Sequence, residues 1–159
     1  PILFFIKFKK LEIERFLFIL FGSFFLYYLI FILLPVYGPE YYVLSNGGKL
    51  QVLKGFVFKH LLDIILTNSD IYGAGFPSSH CGIAVVLCFL VYRANIILKY
   101  YTFISTIGIC FATIYCRAHY FADVLAGVIS GVLFYFIFSK LYAIFFGQAN
   151  ANHQVYNSP

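Results

Sequence analysis

Two short polar clusters interrupt an otherwise apolar sequence, and both contain a histidine. The first is Gly75-Phe76-Pro77-Ser78-Ser79-His80, and the second, His119-Tyr120-Phe121-Ala122-Asp123, begins 39 residues after His80. Ionisable groups are costly in apolar surroundings and therefore mark functional sites. Together the clusters offer two imidazoles, a carboxylate, hydroxyl groups and two candidate helix N-termini. Phosphate chemistry uses groups of these kinds.

The spacing of His119 and Asp123 is i, i+4, which places two side chains on one face of a helix. An aspartate that accepts a hydrogen bond from one imidazole nitrogen fixes the tautomer and leaves the other nitrogen free to act as nucleophile or base. The alternative interpretation is a buried polar pair that holds helices together.

Pro77-Ser78-Ser79-His80 has the composition of a helix start, because proline is favoured in the first turn and serine at the cap. The free N–H groups of a first turn and the positive end of the helix dipole form an anion site. The hydroxyl groups of Ser78 and Ser79 add donors, and a protonated His80 can donate to a leaving oxygen. The alternative is a capped helix start with an incidental histidine.

The composition predicts an integral, multi-pass membrane protein. Hydrophobic residues make up 62% of the chain, charged residues only 11%, and the mean hydropathy is +0.90. Soluble domains contain about 25% charged residues. The net charge of +5 does not indicate nucleic-acid binding, since no Lys/Arg stripe with interleaved aromatic residues is present. Basic residues in a membrane chain chiefly report its topology.

Apolar runs predict an all-α fold, a polytopic transmembrane helix bundle with an interfacial amphipathic helix. Residues 16–34 are uncharged and long enough to cross a hydrocarbon core of about 30 Å. Residues 1–146 are expected to form one membrane-embedded domain, followed by a polar, disordered tail at 147–159. The chain begins at Pro1 and lacks methionine, so further helices are expected before it. The predicted spans are 16–34, 77–95, 96–116 and 119–146, and the predicted interfacial helix is 50–66.

If the four spans alternate in direction, seven basic residues fall on one side, which the positive-inside rule makes cytoplasmic. Both polar clusters then lie at the opposite, extracytoplasmic face. The cysteines lie in apolar segments and lack the short paired spacings of zinc ligands, so no metal site is predicted. The seven basic residues are Lys7, Lys9, Lys10, Arg15, Arg93, Lys99 and Lys140.

Over about residues 16–140 the chain resembles the type 2 phosphatidic acid phosphatase superfamily, in particular the branch that includes inositol phosphorylceramide synthases and related bacterial membrane phosphatases. The resemblance rests on Phe76–His80, Arg117–Asp123, Gly127 and the string Pro35-x-x-Gly38-Pro39. It implies that His119 attacks phosphorus to form a phosphohistidine. It also implies that Asp123 orients His119, that His80 protonates the leaving group, and that Ser78 and Ser79 hold phosphoryl oxygens.

The chain departs from the superfamily pattern in its basic residues. Many members have Ser-Arg where this chain has Ala112-Thr113, so Arg117 is the expected substitute at the phosphate. Lys54 and Lys59 are candidates for the basic residues of the family's first motif, although both are equally compatible with snorkelling at the membrane interface. The resemblance implies no metal and no cofactor, since imidazolium, basic side chains and amides carry the transition-state charge.

These observations predict a membrane phosphatase that hydrolyses a lipid phosphate or lipid pyrophosphate at the extracytoplasmic interface. Its partners are the lipid substrate and the surrounding membrane lipids. One alternative is a phosphotransferase, in which an alcohol or lipid acceptor takes the place of water. Another, of a different class, is a noncatalytic membrane protein or transporter that keeps these residues for helix capping and packing.

Overall fold

The computed structural model describes residues 10–39, 42, 75–92 and 96–156, and the regular structure within these ranges is helical. Within the described residues four long helices follow one another, which confirms the predicted all-α fold. The predicted interfacial helix at 50–66, together with Lys54 and Lys59, lies outside the described residues. The helices are α1 (Lys10–Leu33), α2 (Ser79–Val91), α3 (Ile96–Tyr115) and α4 (Phe121–Tyr156).

Three of the helices contain stretches that are long and apolar enough to cross a membrane: Glu12–Leu33, Ile96–Tyr115 and Phe121–Phe146. Helix α2 is also apolar but has only 13 residues, which corresponds to about 20 Å at the rise of an α-helix. The predicted span at 77–95 is therefore represented by a shorter helix. Helix α4 continues to Tyr156 and covers most of the segment for which the composition predicts a tail.

The ends of α1 and α3 have local causes. Pro35 disfavours helical geometry at Leu34, and the Leu34 amide makes a last helical hydrogen bond of 2.7 Å to the Ile30 carbonyl. After α3, Arg117 adopts a left-handed conformation with φ of 59°. The amides of Ala118 and His119 then donate to the Thr113 carbonyl at 3.0 and 3.2 Å. Such a left-handed residue is a common helix terminator.

Glycines allow α2 and α4 to approach closely. A Cβ atom at Gly127 would meet the carbonyl oxygen of Ser78, and one at Gly131 would meet that of Gly82. Helix association in a membrane depends on van der Waals packing, and small residues permit the backbones to touch. Gly127 and Gly131 are spaced as a small-x-x-x-small pair, the pattern that permits such packing.

Tyr27 fastens α1 to this helix crossing. Its side chain is fully buried, its hydroxyl lies 2.7 Å from Ser130 Oγ, and it donates over 3.3 Å to the Gly127 carbonyl. Its ring packs on Phe134 with the ring centroids 4.9 Å apart. A polar group inside a membrane must find an internal partner. Tyr27 therefore fixes α1 against α4 at Gly127, the glycine that also contacts Ser78.

Candidate active site

The two polar clusters are in direct contact at one end of the bundle. The Ser78 amide, just before α2, donates to the backbone carbonyl of Asp123 in the first turn of α4 at 3.0 Å. The turn after α1, residues 35–39, closes over the same end. The Gly75 amide donates to the Val36 carbonyl at 2.8 Å. Gly38 packs so tightly on Ala118 that a Cβ atom would lie 2.8 Å from the Ala118 oxygen.

His119 lies in the connection between α3 and α4 and is only 5% exposed. Its Nδ1 is 2.8 Å from the carbonyl oxygen of Gly75. Because a carbonyl only accepts hydrogen bonds, Nδ1 carries the proton and donates it, which leaves a lone pair on Nε2. Burial lowers the pKa of His119, and the nearby His80 lowers it further, while the Gly75 carbonyl and Asp123 oppose this shift. The net lowering of the pKa favours the neutral imidazole, whose lone pair then lies on Nε2.

Asp123 is also 5% exposed, but its carboxylate is not hydrogen-bonded to His119. Asp123 Oδ2 accepts from the Tyr120 amide at 2.7 Å and lies 3.8 Å from His119 Nδ1. The second distance is too long for a hydrogen bond. The first is the acidic half of a capping box, in which the third helical residue reaches back to the cap amide. The carboxylate therefore holds the first turn of α4 and acts on the imidazole through its charge.

His80, in the first turn of α2, is exposed, and its ring centroid is 5.8 Å from that of His119 with the two rings tilted by 59°. The pair is thus asymmetric, with one imidazole buried and hydrogen-bonded and the other open to the surroundings. A buried imidazole with a free lone pair suits a nucleophile, and an exposed one suits a proton donor and acceptor.

Ser78 occupies the cap position of α2 in extended conformation, yet its hydroxyl makes no capping hydrogen bond. The side chain is fully buried, and Ser78 Oγ has no hydrogen-bond partner within the described part of the chain. Ser79 is the first residue of the helix. A helix start leaves its first-turn amides without intrahelical partners. The start of α2 therefore combines main-chain N–H groups with serine hydroxyls, which are kinds of donor that can bind an oxyanion.

Arg117 precedes His119 by two residues, and its side chain is half-buried. Its amide donates to the Ile114 carbonyl at 3.0 Å. The structure thus places an arginine on the connection that carries His119, while the other expected cations, Lys54 and Lys59, lie outside the described residues. Within the described ranges, no three His, Cys, Asp or Glu side chains are grouped so that they could hold a metal ion.

The sequence analysis did not predict the part that main-chain atoms play in the site. The carbonyl of Gly75 and the turn at 35–39 contribute through the backbone, and the types of most residues do not reveal such contacts. Glycines at positions 38 and 75 were the available signal, because each sits where a Cβ atom would collide with backbone. Tyr27 was also missed, and its residue type is uninformative in a chain with 14 tyrosines.

The fold and the site together define a helical protein with three helices of membrane-spanning length and two histidines at one end of its bundle. The family model described as the PAP2 superfamily matches residues 2–137, and the chain belongs to that superfamily. Searches of curated proteins and of solved structures give no match. Membership supports a phosphatase-like function in general.

Proposed function

We propose that this protein is an integral membrane phosphatase that hydrolyses a lipid phosphate or lipid pyrophosphate through a phosphohistidine. The observation that carries the proposal is the hydrogen bond from His119 Nδ1 to the Gly75 carbonyl. It leaves Nε2 as a nucleophile within reach of His80 and of the α2 start. A buried imidazole that is held neutral and oriented, with a second imidazole beside it, suits phosphoryl transfer.

In the first step, Nε2 of His119 attacks phosphorus, so that a P–N bond forms while the P–O bond to the leaving lipid alcohol or phosphate breaks. His80 gives its proton to the departing oxygen. The α2 amides, the Ser78 and Ser79 hydroxyls and the Arg117 guanidinium bind the phosphoryl oxygens and stabilise the charge on them. The Asp123 carboxylate, 3.8 Å from Nδ1, stabilises the positive charge that develops on the imidazole.

In the second step, neutral His80 takes a proton from water, and the oxygen of that water attacks phosphorus. The P–N bond breaks, and inorganic phosphate leaves with His119 and His80 back in their starting forms. An alcohol in place of water would turn the same intermediate into a phosphotransferase reaction. The substrate is proposed to be a lipid because the site lies at the end of apolar helices, where a headgroup resides in a bilayer.

The proposed side is extracytoplasmic. Arg15 near the start of α1, Lys99 near the start of α3 and Lys140 in the second half of α4 lie toward the ends of their helices away from the site. Basic residues favour the cytoplasmic side of a membrane, which supports the opposite side for the histidines.

Purified protein in detergent is expected to release inorganic phosphate from at least one of phosphatidic acid, a ceramide phosphate and a polyprenyl pyrophosphate, and to do so in excess EDTA. Water-soluble phosphomonoesters serve as the comparison for lipid preference. A strict need for a divalent metal contradicts the phosphohistidine mechanism. Formation of a new phosphate ester of a supplied alcohol, in place of inorganic phosphate, assigns the phosphotransferase reaction instead.

Arg117→Gly separates the side chain from the backbone at this position. Glycine adopts the left-handed conformation without the cost of about 1–2 kcal/mol that other residues incur, so the fold should be kept or slightly stabilised. Loss of the guanidinium should raise KM for the lipid phosphate by about tenfold, the value of one charge-assisted phosphate contact. An unchanged KM, with a melting temperature at or above that of the wild type, rules out Arg117 as a phosphate ligand.

A further inference from the structure

We infer that the backbone carbonyl of Gly75, held by the turn at 35–39, is the group that sets the tautomer and orientation of His119, and that Asp123 is a positioning residue for the first turn of α4. The inference rests on the proposed role of His119 as nucleophile and deepens it. It replaces the side-chain partner expected from the i, i+4 spacing by a main-chain partner from another part of the chain.

The distances separate the two candidate partners of His119 Nδ1. The Gly75 oxygen is 2.8 Å away and the nearer Asp123 oxygen is 3.8 Å away. An N–H has one proton to donate, and only the shorter distance has hydrogen-bond length. Asp123 Oδ2 already accepts from the Tyr120 amide at 2.7 Å, so the carboxylate has a closer partner than the imidazole.

Gly75 is itself fixed from its other side. Its amide donates to the Val36 carbonyl at 2.8 Å, so the same residue accepts from the imidazole and donates to the turn. The turn at 35–39 also packs against the connection that carries His119, because Gly38 lies against the Ala118 oxygen. The carbonyl that orients His119 and the segment that carries His119 are therefore braced by one turn.

Gly75→Ala tests whether the turn at 35–39 holds the carbonyl that orients His119. Gly75 does not need a left-handed φ, but an alanine Cβ would lie 2.6 Å from the Val36 oxygen, and the backbone must shift to relieve the contact. We expect kcat to fall about 100-fold, since a displacement of about 1 Å has effects of that size, while KM changes little. Gly108→Ala is the matched control, because no atom lies within 4 Å of its Cβ position.

Two variants of Asp123 supply a second measurement. Asn keeps an oxygen that can accept from the Tyr120 amide, whereas Ala does not. We expect Asp123→Asn to lose about tenfold in kcat through loss of charge, and Asp123→Ala to lose at least ten times more because the α4 start is released. Equal, severe losses in both variants would favour the carboxylate as the direct orienting group and overturn the inference.

The tautomer gives a readout that does not depend on turnover. Nitrogen-15 NMR of the histidine-labelled full chain in detergent, with the His119 signals assigned by their loss in His119→Gln, should show an Nδ1–H tautomer in the wild type. The same tautomer is expected in Asp123→Asn, and a mixture in a folded Gly75→Ala. An Nε2–H tautomer in the wild type, or loss of the Nδ1–H form in Asp123→Asn, overturns the inference. If Gly75→Ala does not fold, Asp123→Asn still decides. A correct tautomer in a protein that releases no phosphate rejects the proposed function alone.

Discussion

Replacing His119 with alanine is expected to reduce phosphate release to the background rate, a loss of at least about 10⁴-fold, as in other enzymes that lose a covalent nucleophile. The reason is that no other described side chain at the site offers a buried, oriented lone pair of this kind. Release is measured with the best lipid phosphate, and the intermediate is trapped by quenching the reaction with radiolabelled substrate in dodecyl sulfate at alkaline pH. The wild type should carry alkali-stable, acid-labile label, and His119→Ala should carry none.

The role of His80 can be separated from that of His119 in the same assay. His80→Ala should lose about 10²–10⁴-fold with a lipid alcohol as leaving group, the range of general acid catalysis. It should lose far less in the labelling step with an aryl phosphate, whose leaving group needs no proton. Phe121→Leu is the control, because this neighbouring side chain is 69% exposed. Wild-type turnover in His119→Ala, or labelling of that variant at another residue, contradicts the mechanism.

Gly127→Ala is expected to disrupt the site because it forces the start of α2 away from α4. The added Cβ would meet the Ser78 carbonyl, which is backbone and cannot rotate away, so the start of α2 must separate from α4. Overpacking of this kind costs about 1–3 kcal/mol of stability. Displacement of the α2 amides and of the Ser78 hydroxyl should also lower kcat/KM by about 100-fold or more. Thermal unfolding in detergent and phosphate release measure the two effects.

Gly108→Ala again provides the comparison, since it makes the same change in a helix of membrane-spanning length with open space around the added atom. Alanine is the better helix former by about 1 kcal/mol, so this variant should be as stable as the wild type or slightly more so. If Gly127→Ala melts and turns over like Gly108→Ala, the α2 and α4 backbones do not need their close contact.

The sequence predicted the helices well because long apolar runs bounded by proline or charge have few other solutions in a membrane. It also predicted that Ser78, His80, His119 and Asp123 would meet. It failed for the partner of His119, and the reason is geometric. Helix α4 begins at Phe121, so His119 precedes it and the 3.6-residue periodicity does not apply to the pair. The Asp123 carboxylate accepts from the Tyr120 amide instead. The His119 imidazole donates to the Gly75 carbonyl, which is 44 residues away in sequence.

The hydrogen bond between the Ser78 amide and the Asp123 carbonyl joins the starts of two helices. Each start carries about half a positive elementary charge, so two like poles repel one another where α2 and α4 meet. The Asp123 carboxylate offsets part of that repulsion, and a phosphate group would remove the rest. This positive field belongs to the backbone, so it does not titrate and no side-chain replacement abolishes it. A site built in this way can hold a dianion with few arginines, and the attraction of its backbone for phosphate should not change with pH.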